Sequence, residues 1–323
     1  MPRRNINELA DKSVLDQDVY QAGNKQLRPN RNGQLYLQVE LRDRTGALSG
    51  RMWNATEADA ARFDDGDFVK VRGSAQLYQG SMQIILTNIR KADPTEVDFN
   101  DFACLTPTDV SRFAIRLGEL LRGVKDPGLK ALAECFLGDE DFMARFTACP
   151  AGVKNHHAYA GGLVEHVVNL MEVSALIAPR YPRLDRDLLI FGCFLHDMGK
   201  IEELSFEQGF AYTDPGQMLG HIIQAITMLD IKLREAEELL GEPVSPEIVL
   251  RLKHMIVSHH GEYQFGAAKL PMTLEAVALH QLDDLDAKMH HFQSLINDDT
   301  NATSSFTQYH PHLTRKLYKG GKG

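Results

Sequence analysis

The sequence predicts a multidomain protein of mixed α and β class, with a small N-terminal β-barrel followed by an all-α helical bundle. Three observations carry this. Residues 14–95 contain runs that alternate apolar and polar side chains with the period of strands, and residues 107–296 follow the period of helices. Between them, residues 96–106 are acidic and follow neither period, as a linker would. At 323 residues, two domains are also the default expectation.

Residues 1–13 are polar and read as a flexible lead-in. In GQLYLQVELRDRTG, Leu35, Leu37, Val39 and Leu41 alternate with Tyr36, Gln38, Glu40 and Arg42, so one strand face is buried. Arg44-Thr45-Gly46 makes the turn, and ALSGRMWN continues as the next strand. ATEADAARF is a short helical piece, DDGD a turn, and FVKVRGSAQLYQGSMQIILTNIRKA two strands around Tyr78-Gln79-Gly80. About five short strands with one interposed helix fit a closed barrel of the OB-fold type. Such barrels commonly hold single-stranded nucleic acid, with basic side chains on phosphates and aromatic rings under bases. The candidates are Tyr36, Arg42, Arg44, Arg51, Trp53, Lys70, Arg72 and Tyr78. The plainer alternative makes several of them ordinary strand residues and Trp53 a core ring.

The helical region starts at Pro107-Thr108-Asp109. It is interrupted at KDPG, GDED, APRYPRLD, FEQGFAYTDPG, GEPVSP and GEYQFGAAKLP. Residues 297–323 form a polar, then basic tail, expected to be mobile.

Apolar content of 43% with 24% charged residues is ordinary for a soluble globular protein. No apolar stretch reads as long enough to span a bilayer, and the N-terminus lacks the apolar core of a secretory signal. Four scattered cysteines (Cys104, Cys135, Cys149, Cys193) form no CxxC pair, so neither a thiolate zinc site nor a disulfide framework is expected, and a cytoplasmic setting is. The net charge is −9, but residues 1–100 are balanced at 14 acidic and 14 basic side chains. The deficit lies entirely in the helical part and the tail, where bound divalent cations would offset part of it. An anionic substrate is therefore not excluded.

The chemistry centres on LLIFGCFLHDMGKIEE, residues 188–203. A densely apolar run leads directly into His196-Asp197, where an ionised carboxylate is costly unless paired or metal-bound. The same region carries His166 in GGLVEHVVNLM, on the face of Leu163 and Leu170. It also carries His221 at the start of an apolar helix and His259-His260 at the end of another. Asp283 sits on the apolar face of TLEAVALHQLDDLDAKMHH, flanked by His280 and Asp286. Each has an ordinary explanation alone: core histidines, a helix cap, a surface acid. Together they form a ligand inventory. Imidazole with carboxylate suits Fe, Mn, Ni, Co or Zn rather than an oxygen-only Mg or Ca site. Six or seven ligands exceed one tetrahedral ion and suit two, with Asp197 between them.

The ordered set His166, His196-Asp197, His221, His259-His260, Asp283 resembles the binuclear HD-domain metal-dependent phosphohydrolases. With NHHAYAGGLVEH, FLHDMGK, SHHGE and LDDLDAK behind an OB domain, residues 15–295 resemble the YhaM-type 3′-5′ exoribonucleases. The resemblance implies an OB-fold domain followed by an HD-domain helical bundle. It implies that His166, His196, Asp197 and Asp283 hold one ion. Asp197 would bridge to a second, held by His221 and His259 with His260. Asp283 is chosen over Asp284 and Asp286 because it opens the family's DxxDA pattern. Lys200 falls where the family places a phosphate-contacting lysine. His156 or His157 is the candidate general acid, with helix capping or loop packing as the ordinary alternative.

The expected cofactor is two divalent metal ions, manganese first, with Fe, Co, Ni, Mg or Zn as alternatives. The expected partner is single-stranded RNA, or single-stranded DNA, with no membrane and with a homo-oligomer as a family expectation. Two other functions compete: an HD-type nucleotide or cyclic-dinucleotide phosphohydrolase, and a nucleic-acid-binding protein with an inactive HD site. Against the first, the sequence after His259-His260 runs GEYQFGAAKLP, with no GYP-type extension. Against the second, no expected ligand is missing.

Overall fold

The structure is a computed structural model that describes residues 3–30, 32–78, 81–98, 101–102, 105–152, 159–205, 211–297, 299, 304–310 and 312–320. The chain divides into two compact units, Met1–Cys104 with His291–Gly323, and Leu105–His290.

In the first unit, β1 (Val14–Pro29), β2 (Leu35–Asp43), β3 (Gly46–Trp53), β4 (Phe68–Tyr78) and β5 (Ser81–Lys91) close into a barrel. The strand order is β1-β2-β3-β5-β4, with β3 and β5 parallel and the other pairs antiparallel. Closure removes the exposed edges that invite aggregation. The alternation in β2 does what its period requires: Leu37, Val39 and Leu41 are fully buried, while Tyr36, Gln38, Glu40 and Arg42 face outward. The single-turn helix α1 (Glu57–Ala60) is held by a reciprocal Thr56–Asp59 cap. The turn expected at Gln79-Gly80 lies outside the described residues.

Two segments differ from expectation. The lead-in expected over residues 1–13 is built into the barrel from Arg3 onward. Ile6 and Leu9 are buried, Arg3 pairs with Asp43 at 2.8 Å and donates to the Val19 carbonyl, and the Ile6 N–H donates to Asp43. The polar composition hid two apolar anchors, Ile6 and Leu9, and the acceptors that tie the segment down, Val19 and Asp43, lie farther along the chain. The tail expected to be mobile carries bridges Phe306–Tyr318 and His310–Arg315, with Leu317 and Thr307 buried. Lys319 pairs with Asp299 at 2.6 Å.

The second unit contains α2 (Pro107–Arg122), α3 (Pro127–Leu137), α4 (Glu140–Ala148), α5 (Gly162–Ile177), α6 (Arg186–Leu195), α7 (Lys200–Glu203), α8 (Asp214–Leu240), α9 (Pro246–Ser258) and most of α10 (Leu274–Asn297). Between α7 and α8, the short strands β6 (Leu204–Ser205) and β7 (Ala211–Tyr212) pair where a plain loop was expected. Helix starts follow local chemistry, with Thr106, Asp126, Asp139, Asp185 and Thr213 capping backbone N–H groups. Every residue from Leu188 to Leu195 is buried, so α6 is the central helix. Phe136, Phe142 and Phe146 cluster with its Phe194, with ring centroids 5.0–6.1 Å apart.

One expectation about membranes needs correction. The helical stretch Gly162–Arg180 is long and apolar enough to cross a bilayer, at 19 residues and mean hydropathy 1.2. Its hydropathy comes from Leu163, Val164, Val167, Val168, Leu170 and Met171, all buried in the helical core, which is the ordinary setting of a core helix.

Candidate metal centre

Five elements deliver the ligand candidates. His166 comes from α5, His196 and Asp197 from the end of α6, His221 from α8, His259 and His260 from the end of α9, and Asp283 from α10. The turn after Asp197 lies against α8. A Cβ on Gly199 would sit 2.0 Å from the His221 carbonyl oxygen and 2.8 Å from the Ala225 nitrogen, so glycine is required for that approach.

The imidazoles are aimed by what their Nδ1 atoms touch. His196 Nδ1 lies 2.8 Å from the Cys193 carbonyl, and His259 Nδ1 lies 2.7 Å from the Ile256 carbonyl. A carbonyl only accepts, so both Nδ1 atoms carry the proton and both Nε2 atoms are left as ligands. His166 Nδ1 lies 2.7 Å from Asp286, and His221 Nδ1 lies 3.1 Å from Glu203. All four Nε2 atoms then face carboxylates at the centre. His166 Nε2 is 3.2 Å from Asp283 Oδ1 and His196 Nε2 is 3.3 Å from Asp197 Oδ2. His221 and His259 approach Asp197 Oδ1 at 3.5 and 3.6 Å.

These last contacts are too long to replace hydrogen bonds. Nε2 of His196, His221 and His259, Nδ1 of His260, and Asp197 Oδ1 are all buried with no hydrogen-bond partner. A buried polar atom left unsatisfied costs about 1–3 kcal/mol, so these five, four of them gathered at Asp197, need an explanation. Bound divalent metal supplies one, because neutral imidazole nitrogens and carboxylate oxygens are its natural donors. Two donor groups fit: His166, His196 and Asp197, and His221, His259 and His260, each with ligand atoms within 4.8 Å of one another. Asp197, whose Oδ1 faces the second group, is the side chain common to both.

The electrostatics favour metal binding at His259 and His260, whereas His166, a cation between Asp283 and Asp286 without metal, would have to release its proton to become a ligand. Burial pushes the Asp197 pKa up, yet the Lys200 ammonium and the His196 and His221 rings outweigh it and hold the carboxyl well below its usual range. Burial pushes His166 down, but hydrogen bonds to Asp283 and Asp286 reverse this and carry it up to about 9. Burial alone dominates at His259 and His260, holding both rings low and neutral, the form that binds metal.

Other predicted residues fall in different places. Lys200 donates to Asp197 Oδ2 at 2.5 Å and to the Ala151 carbonyl at 2.6 Å, so it serves Asp197 rather than standing open for a phosphate. Asp284 pairs with Lys288 on the surface. His156 and His157 lie outside the described residues. Glu203 was missed, and Asp286 had been noted only as a flanking acid. The available signal was spacing, since Asp197, Lys200 and Glu203 follow at steps of three.

On the barrel, Tyr36 and Trp53 are cross-strand partners with ring centroids 5.3 Å apart, and Trp53 is 46% exposed, not a core ring. Arg51, opposite Gln38, shares their outer face, and exposed Arg28 pairs with Tyr36 across β1, a neighbour the sequence did not single out. Three of the remaining basic candidates are engaged by carboxylates. Lys70 is tied to Glu96 at 2.6 Å, Arg72 to Asp16 at 2.9 Å, and Arg42 to Glu40. Arg44 is exposed at the β2–β3 turn, and Tyr78 is exposed at the end of β4.

Comparison with known proteins agrees with both units. Residues 163–288 match the HD domain family, and residues 23–92 match the OB-fold nucleic acid binding domain family. Over 259 residues the chain is 38% identical to 3′-5′ exoribonuclease YhaM of Bacillus velezensis, covering 80% of each chain. The YhaM proteins of Bacillus subtilis and Bacillus licheniformis are 37% and 36% identical over the same share.

Proposed function

The chain belongs to the 3′-5′ exoribonuclease YhaM family, and from that premise we propose that it is a metal-dependent hydrolase that removes nucleotides from the 3′ end of single-stranded RNA. The single observation that carries the reading is the set of buried, unpartnered nitrogens and oxygen converging on Asp197. His166, His196, Asp197 and Asp283 would hold one divalent ion; Asp197, His221, His259 and His260 would hold the other. When bound, such ions supply an activated water and positive charge opposite the phosphate. The protein's own contribution is to fix the donors before substrate arrives. Backbone carbonyls lock His196 and His259, and Lys200 keeps Asp197 ionised and oriented. The proton for the leaving oxygen is assigned to His156 or His157. On the barrel, Tyr36 and Trp53 stack bases while Arg51 meets phosphate. Manganese is the proposed ion, single-stranded DNA a further proposed substrate, and a homo-oligomer in the cytoplasm the proposed working form.

The test is incubation of the full chain with Mn²⁺ and 5′-labelled single-stranded RNA, beside Asp197→Ala. The expected result is a ladder shortening from the 3′ end that the variant does not produce. Hydrolysis of a cyclic dinucleotide with RNA left intact would replace this reading by that of a nucleotide phosphohydrolase. Tight RNA binding without turnover under any divalent metal would replace it by a binding protein.

A further inference from the structure

The four histidines whose Nε2 atoms face the centre are not oriented alike. Of the two in the first donor group, and of the corresponding two in the second, one ring is fixed by a main-chain carbonyl and one by a carboxylate. His196 and His259 use the Cys193 and Ile256 carbonyls. His166 uses Asp286, and His221 uses Glu203. We propose that Asp286 and Glu203 are positioning residues, one for each metal half-site. Each turns the Nε2 of its histidine toward the centre and places one negative charge behind that ring. The proposal rests on the binuclear reading above and adds to it which acid governs which ion.

Glu203 is the more constrained of the two. Helix α8 is broken at Gly220, whose φ of 71° and ψ of 164° are not helical. The break separates the His221 N–H from the helical ladder. Glu203 Oε1 repairs this, accepting from the His221 backbone N–H at 3.0 Å and from Nδ1 at 3.1 Å. One carboxylate oxygen therefore fixes both the main chain and the ring of the same residue. The main chain of Glu203 is itself pinned: its carbonyl accepts from the Thr213 N–H at 2.9 Å, and a Cβ on Gly216 would approach that oxygen to 2.2 Å. An acid only 9% exposed, with this much of its surroundings built around it, is not a solvated surface charge. Asp286 is held in a similar way. Its Oδ2 meets His166 Nδ1 at 2.7 Å, and its Oδ1 accepts from Asn169 Nδ2 at 3.4 Å.

A carboxylate hydrogen-bonded to a ligating imidazole fixes its tautomer and raises its basicity, and loss of such a partner weakens metal affinity about 10- to 100-fold. Because the two acids lie on different helices and serve different donor groups, the losses should be separate.

The experiment is calorimetric titration of Mn²⁺ alone into metal-stripped full-length protein, using wild type, Glu203→Gln, Asp286→Asn and the double variant. Melting in EDTA reports whether each variant is folded. Each single variant is expected to keep one ion at wild-type affinity and bind the other about 10- to 100-fold more weakly, and the double variant to weaken both. Ribonuclease activity of Glu203→Gln should return as Mn²⁺ is raised, whereas that of Asp197→Ala should not. Wild-type affinity for both ions in either variant overturns the proposal, as does equal weakening of both ions by a single change. Should Glu203→Gln not fold, Asp286→Asn on α10 decides the claim by the same criteria. A wild type that takes up two Mn²⁺ ions but shortens no RNA would sink the exoribonuclease reading and leave the assignment of the two acids standing.

Discussion

Replacing Lys200 with Met tests the centre where its charges are most tightly coupled. The ammonium donates to Asp197 Oδ2, whose other close side-chain neighbour is His196 Nε2 at 3.3 Å, and it also binds the Ala151 carbonyl. Its side chain is 13% exposed and that of Asp197 only 4%, so solvent screens the pair little. Removing one partner of a buried ion pair costs about 3–5 kcal/mol, because the other charge is left uncompensated. A kilocalorie shifts the melting temperature of a unit the size of residues 105–290 by about 2–4 °C, so the metal-free variant should melt about 6–20 °C below wild type. Divalent ions at the centre would themselves balance Asp197. In saturating Mn²⁺ the deficit should shrink to that of the lost Ala151 hydrogen bond, about 1 kcal/mol. The assay is differential scanning calorimetry of both proteins in EDTA and in Mn²⁺. Equal deficits in the two conditions would show that Lys200 is not the counter-ion of a metal-bridging carboxylate. No deficit in EDTA combined with a large fall in kcat would return Lys200 to the phosphate-contact role that the sequence suggested.

Two further outcomes are expected on the barrel. Trp53→Ala should weaken single-stranded RNA binding about 5- to 150-fold, from about 1–3 kcal/mol of lost stacking, while Lys70→Ala, whose ammonium is committed to Glu96, changes it less than twofold. Fluorescence anisotropy at fixed salt reads both, and the reverse ranking would refute the Tyr36–Trp53 platform. Glu96 is held down to about 2 by hydrogen bonds from Arg90 and Lys70, against an ordinary value of 4.5. A folded-state pKa below the unfolded one gives stability that is present above pH 4.5 and lost as pH falls toward 2. Glu96→Gln should therefore lie below wild type in urea midpoint at pH 6 and converge with it near pH 2, and a constant gap would rule out the charge as the cause.

The parts legible in the sequence were those where one residue pattern has one physical meaning. The alternation from Leu35 to Arg42 can bury only one face of a strand, and the apolar run before His196-Asp197 can only be a core helix that ends in a costly carboxylate. What was hidden depends on partners distant in the chain. Glu203 carries no signal of its own, and Asp286 reads only as an acid flanking an apolar face, until the break at Gly220 and the packing of α5 against α10 supply the histidines they hold. The ends of the chain were misread for a related reason. Ile6, Leu9 and Leu317 are too few to set a period, yet each has a buried place to occupy.

The position of Lys200 also bears on what Asp197 does. A carboxylate that only bridged two ions would need no ammonium, and a lysine that only met phosphate would not sit 2.5 Å from a ligand oxygen. The pairing makes sense if the centre must stay folded with its ligands buried before metal arrives. Asp197 then has a cation in both states, Lys200 without metal and the divalent ions with it. Imidazoles can stay buried as neutral rings, as His259 does, but Asp197 is ionised throughout. In the proposed two-ion centre, its replacement would remove the bridge and leave Lys200 buried without its counter-charge, so a single substitution there would damage both states, whereas loss of one histidine would remove one donor from one ion.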